Sequence, residues 1–280
     1  MKRRDFIHPG RDVLLLLPFL LGFMLFYVIP LFSLPYWATI RSAFHPQFTG
    51  LSNFTSVWQN TYYQLAYRNT FLFTLIAVPV NVGLSFLIAC CIWKSFMPGL
   101  WLGIFLFPLM LPSGAVAAVF RQLFANGMLF SYAPFSEDQY RIERLSLYVF
   151  YLWKYMGANL AVFCGALFAF PRELLDAAKE DGAGEARTLF GIVVPVMMPT
   201  IVFMTTYACA NSFQIFQEAY LLYGAYPSDG VYQLQHYMNN HFQKLNYQYI
   251  SAGGIMFVVP ILLVLTAGIR FSRRWEIELP

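Results

Sequence analysis

Six predominantly apolar stretches run through this chain, at 13–33, 70–92, 101–123, 147–169, 195–217 and 251–269. Each is close to the roughly 20 residues that an α-helix needs to cross the hydrocarbon of a bilayer. No water is available there to pair with backbone N–H and C=O groups, so a crossing segment must satisfy them itself, as a helix does. Charged residues make up only 11% of the chain and apolar ones 59%, whereas a soluble domain carries charge on about a quarter of its residues. Internal prolines (Pro18, Pro79, Pro108, Pro112, Pro260) fit such helices, because neighbouring groups re-satisfy the freed carbonyls. The first stretch does not read as a cleavable signal: it is long, and Phe32–Pro35 offers no small-residue cleavage site. The expectation is an all-α membrane protein with six transmembrane helices.

Basic residues orient it. With both termini cytoplasmic, the inner segments 1–12, 93–100, 170–190 and 270–280 hold 11 of the 18 Lys and Arg. The outer segments 34–69, 124–146 and 218–250 hold 5 in a larger number of residues. The density difference is about fourfold and follows the positive-inside rule. The expected organisation is a cytoplasmic N-terminus (1–12), a membrane domain (13–269) and a cytoplasmic C-terminus (270–280). The charge bias also places the loop over 170–190 on the cytoplasmic side. The net charge of +4 belongs to this asymmetry and implies no nucleic acid.

Several chemistries find no support in the residues. Cys90, Cys91, Cys164 and Cys209 all fall in apolar spans without C-x-x-C spacing, which suits small core residues rather than metal ligands or disulfides. His236 and His241 are five apart, which is not a ligand pair on one helix face. No G-x-x-x-x-G-K-[ST] loop is present to cradle nucleotide phosphates. The longest non-spanning stretches, 34–69 and 218–250, are too short to fold alone. Work against a gradient therefore needs an ion or an energy-supplying partner. No metal, cofactor or catalytic group is expected.

One loop stands apart. Residues 171–199 begin with Pro171, suited to a helix's first turn, where its missing N–H would be unpaired anyway. Leu174, Leu175 and Ala178 then share a face, while Arg172–Asp176 and Asp176–Lys179 have the spacing of exposed ion pairs. Gly182 and Gly184 break the helix, and a second short turn ends near Phe190. Small residues on this surface helix-turn-helix allow another protein to approach closely.

Pro171 to Ala183 resembles the EAA signature of binding-protein-dependent ABC importer permeases, P-x-E-L-x-E-A-A-x-x-D-G-A, with Asp176 in place of Glu. Phe190, Ile192, Pro195 and Pro199 are similar to the second half of that signature, completing an EAA loop over 170–199. Pro18–Phe23 and Ile29-Pro30 resemble the first helix of sugar-type permeases. Gly50–Phe54 and Asn69-Thr70 resemble their first outer loop and second helix start, and Trp153 and Ser212–Phe216 their fourth and fifth helices. Within the group the chain looks closer to the MalF-type than the MalG-type subunit, although Gly224–Pro227 replaces the family's G-G-G-P. The resemblance implies that Asp176, Ala177, Ala178, Asp181 and Gly182 couple the chain to a separate ATPase. It also implies a homologous second permease, two ATPase subunits, an extracytoplasmic solute-binding protein and an oligosaccharide cargo.

Polar groups inside a membrane bundle are costly and tend to line cavities. They concentrate in the fourth and fifth spans, where aromatic rings suit sugar faces and amides suit hydroxyls. The resemblance favours Tyr151, Tyr155, Thr205, Asn211 and Ser212 for cargo. Two rival classes are an ion-coupled secondary transporter, which needs intramembrane carboxylates, and a membrane transferase with Asp176, Glu180 and Asp181 on Mg²⁺. Glu218, at the edge of the fifth span, is the nearest approach to an intramembrane acid.

Overall fold

Helix forms wherever the chain is apolar, as backbone satisfaction in lipid demands. The computed structural model describes residues 9–125 and 137–272. Residues 1–8 and 273–280 of the expected cytoplasmic ends, and 126–136 of an expected outer loop, lie outside them. The chain divides into two compact units, Met1–Asn60 with His241–Val258 and Thr61–Asn240 with Val259–Pro280.

In the first unit, α1 (Pro9–Phe23) and α2 (Ile29–Thr39) are joined by a π-helical turn, Met24–Val28. The cause is Pro30. A proline inside a helix clashes with the carbonyl four residues back, here that of Phe26, and the wider π turn gives that carbonyl room. After α2, Asn53 of α3 (Ser52–Gln59) donates through Nδ2 to the carbonyls of Ala38 and Ile40, at 2.9 and 2.7 Å. Asn53 is thus a buried clamp on the end of α2.

The second unit is built on α4 (Thr61–Trp93), α7 (Glu137–Phe168) and α10 (Val194–Tyr223), which pack on one another. Val82, Phe86, Leu160, Phe163, Met197 and Met204 form one buried cluster. Phe73, Phe150, Tyr151 and Ile215 belong to a second. Outward faces stay apolar, with Leu75, Leu84, Leu87 and Phe203 exposed, as lipid contact requires. α11 (Leu234–Gln243) and α12 (Tyr247–Ser272) complete the chain.

Four helical runs are long and apolar enough to cross a membrane alone: Leu16–Thr39, Thr61–Trp93, Glu185–Tyr223 and Tyr247–Arg270. Two further crossings contain a bend: in the first both arms are apolar, and in the second a short charged arm turns away from the apolar one. Pro98–Met110 and Ser113–Leu123 meet at 91°, and Tyr140–Phe168 and Arg172–Glu180 at 69°. The third crossing therefore differs from the continuous helix expected over 101–123. Pro112 does not merely interrupt it. Leu111 and Pro112 are both extended, with ψ of 136° and 131°, so α5 (Pro98–Met110) stops and α6 (Ser113–Phe120) starts afresh. Other prolines are absorbed: Pro79 and Pro260 lie inside α4 and α12.

Gly157 fixes the approach of α7 to α5, because a Cβ there would collide with the carbonyl of Phe105. Gly157→Ala should destabilise the protein by about 1–3 kcal/mol through overpacking. Gly165→Ala, in the same helix but with open space at its Cβ, should leave stability unchanged or raise it. Unfolding temperatures of the two variants in detergent check this, and an equal response from both would refute it.

Candidate functional site

The charged loop is built by its caps. Pro171, extended at ψ 119°, precedes α8 (Arg172–Glu180), with Glu173 in the first turn and Lys179 in the last, complementing the helix dipole. Gly182 ends it at φ +72°, a conformation that costs glycine least. Its N–H bonds to the Lys179 carbonyl at 3.0 Å and that of Ala183 to the Ala178 carbonyl at 2.9 Å. This pair of bonds is a Schellman motif, which satisfies the last carbonyls of the helix and fixes the direction in which the chain leaves.

Leu174 and Leu175 pack against the core, while Asp176, Ala177, Asp181 and Gly182 face outward. Ala178 does not share that outer surface. It is buried at 4% exposure, on the inner face with the two leucines, so its side chain is unavailable to a partner. Asp176 pairs with Lys179 at 3.3 Å, whereas the expected Arg172–Asp176 pair is not among the ion pairs of the described residues. The second turn does not end near Phe190. α9 (Glu185–Thr188) passes through a π turn, Leu189–Val193, straight into α10. Pro195 explains that turn as Pro30 explains the first: its opposing carbonyl belongs to Gly191. Lys94, just beyond α4, reaches Glu185 at 3.3 Å.

The residues expected at the cargo site lie on α7 and α10, where Tyr151 and Tyr155 touch each other, and most of their hydroxyls are already used. Tyr151 is fully buried and donates to the Ala208 carbonyl at 2.7 Å. Thr205 donates to its own helix at Ile201, 2.7 Å, and Ser212 to Cys209, 2.7 Å, while also lying 3.0 Å from Thr74. Tyr155 is buried with its hydroxyl 3.4 Å from Glu218. Asn211 differs, since its buried Nδ2 has no partner among the described residues. Of the five it is the one with an unmade hydrogen bond.

Sequence reasoning missed the strongest polar contact of the bundle. Glu218 is not at the edge of a span but fully buried inside α10, 2.5 Å from Lys154 of α7. Lys154 also donates to Ser113, and Ser113 donates to Glu218 at 3.1 Å. The Lys154 ammonium lies 5.5 Å from the Tyr155 ring centroid, adding a cation–π contact. The signal was present in the sequence: one lysine within a span and one glutamate at the margin of another have every reason to pair when both leave water.

No protein-family model matches the chain. Among curated proteins it is 25% identical, over 279 residues, to the arabinooligosaccharides transport system permease protein AraP of Bacillus subtilis, covering 93% of this chain and 88% of that one. Among solved structures, a bacterial ABC transporter involved in the import of the acidic polysaccharide alginate superposes at a TM-score of 0.79 with 22% identity, covering 95% of this chain and 96% of that one. The alginate ABC transporter in complex with an alginate pentasaccharide-bound periplasmic protein gives 0.77 at 21% identity, covering 97% and 98%. The chain is a homologue of sugar-type ABC transporter permeases. The two structural likenesses establish the fold, that of an ABC importer permease.

In this permease homologue the Lys154–Glu218 pair ties the third, fourth and fifth crossings at one point. Lys154→Met or Glu218→Leu alone leaves one buried group uncompensated and should cost about 3–5 kcal/mol. The double variant Lys154→Met/Glu218→Leu should recover most of that loss, because an apolar pair needs no counter-charge. A double-mutant cycle on unfolding temperature measures it; additive losses would show that the two groups do not act as a pair.

Proposed function

We propose that this chain is the membrane-embedded permease subunit of an ABC importer that moves an oligosaccharide or related carbohydrate inward. The observation that carries the reading is α8: an exposed, Schellman-capped helix bearing the EAA pattern, set at 69° to the span that precedes it. A helix closed at its C-terminal end and seated on Leu174 and Leu175 transmits a push, where a loose loop would absorb it. The likeness to permeases of sugar transport systems supports the same reading.

In this arrangement Asp176, Ala177, Asp181 and Gly182 present the surface to a separate ATPase subunit, and Ala178 seats the helix from within. A homologous second permease, two ATPase subunits and an extracytoplasmic solute-binding protein complete the importer. The chain itself catalyses no reaction. It lies in the plasma membrane with both termini cytoplasmic, and residues 13–269 form the transporting domain. Within that group the reading takes the chain as the MalF-type rather than the MalG-type subunit. For cargo, the unpartnered amide of Asn211 gives that residue the leading role among Tyr151, Tyr155, Thr205, Asn211 and Ser212.

Membrane vesicles holding this chain alone should accumulate no sugar, with or without a proton or sodium gradient. Uptake should appear only with the ATPase subunits, ATP, the second permease and the binding protein. Gradient-driven accumulation by the isolated chain would overturn the importer reading.

Gly182→Leu should insert normally yet lose at least about tenfold in uptake. A branched side chain in the left-handed region costs roughly 1–2 kcal/mol and redirects the helix exit. Uptake, membrane insertion and ATPase co-purification, measured together, test this; full uptake by the variant would remove α8 from the coupling step.

A further inference from the structure

Two basic residues, Arg121 and Lys154, fall within or at the edge of the apolar spans, and the fold treats them in opposite ways. Lys154 is buried against Glu218. Arg121 is exposed, joins none of the ion pairs among the described residues, and lines a half-open pocket of about 440 Å³. The wall of that pocket is made of Gly114, Ala117, Ala118 and Arg121, followed by Gln122, with Leu221 of α10 opposite. The first four are spaced i, i+3, i+4 and i+7, one face of α6 running into the π turn Arg121–Ala125. Three small residues leave the floor open, and a Cβ added at Gly114 would meet nothing within 4 Å.

The charge balance of this region is asymmetric. Glu218 lies one turn from Leu221, and Ser113 adjoins Gly114, so the Lys154–Glu218 pair sits just behind the pocket wall. Its carboxylate is already held by Lys154 and Ser113. Arg121 stands eight residues along the helix from Ser113, roughly 12 Å at 1.5 Å per residue. Its guanidinium therefore keeps its full charge toward the pocket. A planar fork of donors matches a carboxylate or phosphate edge, and the small side chains of α6 leave room for the group that carries it. Gln122 adds an amide able both to donate to and accept from a neighbouring hydroxyl.

We propose that this pocket is a passage subsite for an anionic group, carboxylate or phosphate, carried on the carbohydrate cargo. The inference rests on the importer reading above and narrows its substrate class. Small residues let the sugar ring lie against α6, Arg121 holds the acid, and Gln122 bonds a hydroxyl.

The test uses the complete importer in proteoliposomes, with wild type, Arg121→Gln and Arg121→Lys each offered a uronate trisaccharide, a sugar phosphate and a neutral trisaccharide. Wild type should import at least one anionic probe, and which one identifies the acid. Arg121→Gln should lower that uptake about tenfold, the loss of one charge-assisted contact, and Arg121→Lys should retain part of it. ATP hydrolysis without cargo should be unchanged in both, since α8 is untouched. Import of the neutral sugar alone overturns the assignment while leaving the importer reading intact. So does an equal loss of neutral and anionic uptake in Arg121→Gln, which would make Arg121 a structural anchor at the helix end. Uptake that proceeds without ATP would instead defeat the importer reading itself.

Discussion

A backbone in hydrocarbon must close its own hydrogen bonds, and the chain accommodates Pro30, Pro195 and Pro112 under that demand. Pro30 and Pro195 each threaten a carbonyl one turn earlier, and each is preceded by a π turn that relieves the clash while keeping the helix running. Pro112 is handled differently. Extended geometry at Leu111 and Pro112 ends one helix and begins another, and the new helix takes its first bonds from Ala115 and Val116 to the Pro112 carbonyl. The same residue type thus gives a continuous bend in two places and a sharp corner in a third. The difference lies in whether the residue before the proline stays helical.

The corner gathers the polar groups of the bundle. Ser113 opens α6 within hydrogen-bond distance of Glu218, and Lys154 bonds to both. Removing two charges from water is expensive, and such a pair is better at specifying one arrangement than at adding stability. Here it fixes the register of α7 against α10 and pins the corner between them. The Asn81–Asn159 bond of 2.7 Å does the same, without charge, between α4 and α7.

Much of this was legible beforehand. Apolar length located the crossings, and the loop with Gly182 was readable as a capped helix because glycine, proline and charge spacing act locally. What escaped depended on distant parts of the chain. Ala178 is the exception: its i,i+4 spacing from Leu174 already set it on the inner face, yet the resemblance grouped it with Ala177 on the partner-facing surface. Tyr151, Thr205 and Ser212 read as free polar groups, yet their hydroxyls are bonded to carbonyls within the bundle. Glu218 and Lys154 stand 64 residues apart, and neither shows in its own neighbourhood that the other will meet it.

The broken third crossing also places a helix start inside the protein. Aligned peptide dipoles give the first turn of a helix roughly half a positive elementary charge. In α6 that turn begins at Ser113, bonded to the Glu218 carboxylate, whose Oε2 is buried with no partner among the described residues. An unbroken helix would have offered Glu218 only closed hydrogen bonds and apolar side chains. By cutting the helix, Pro112 sets a helix start beside the acid, so the Glu218 carboxylate meets the Lys154 ammonium and the Ser113 hydroxyl at the positive end of α6.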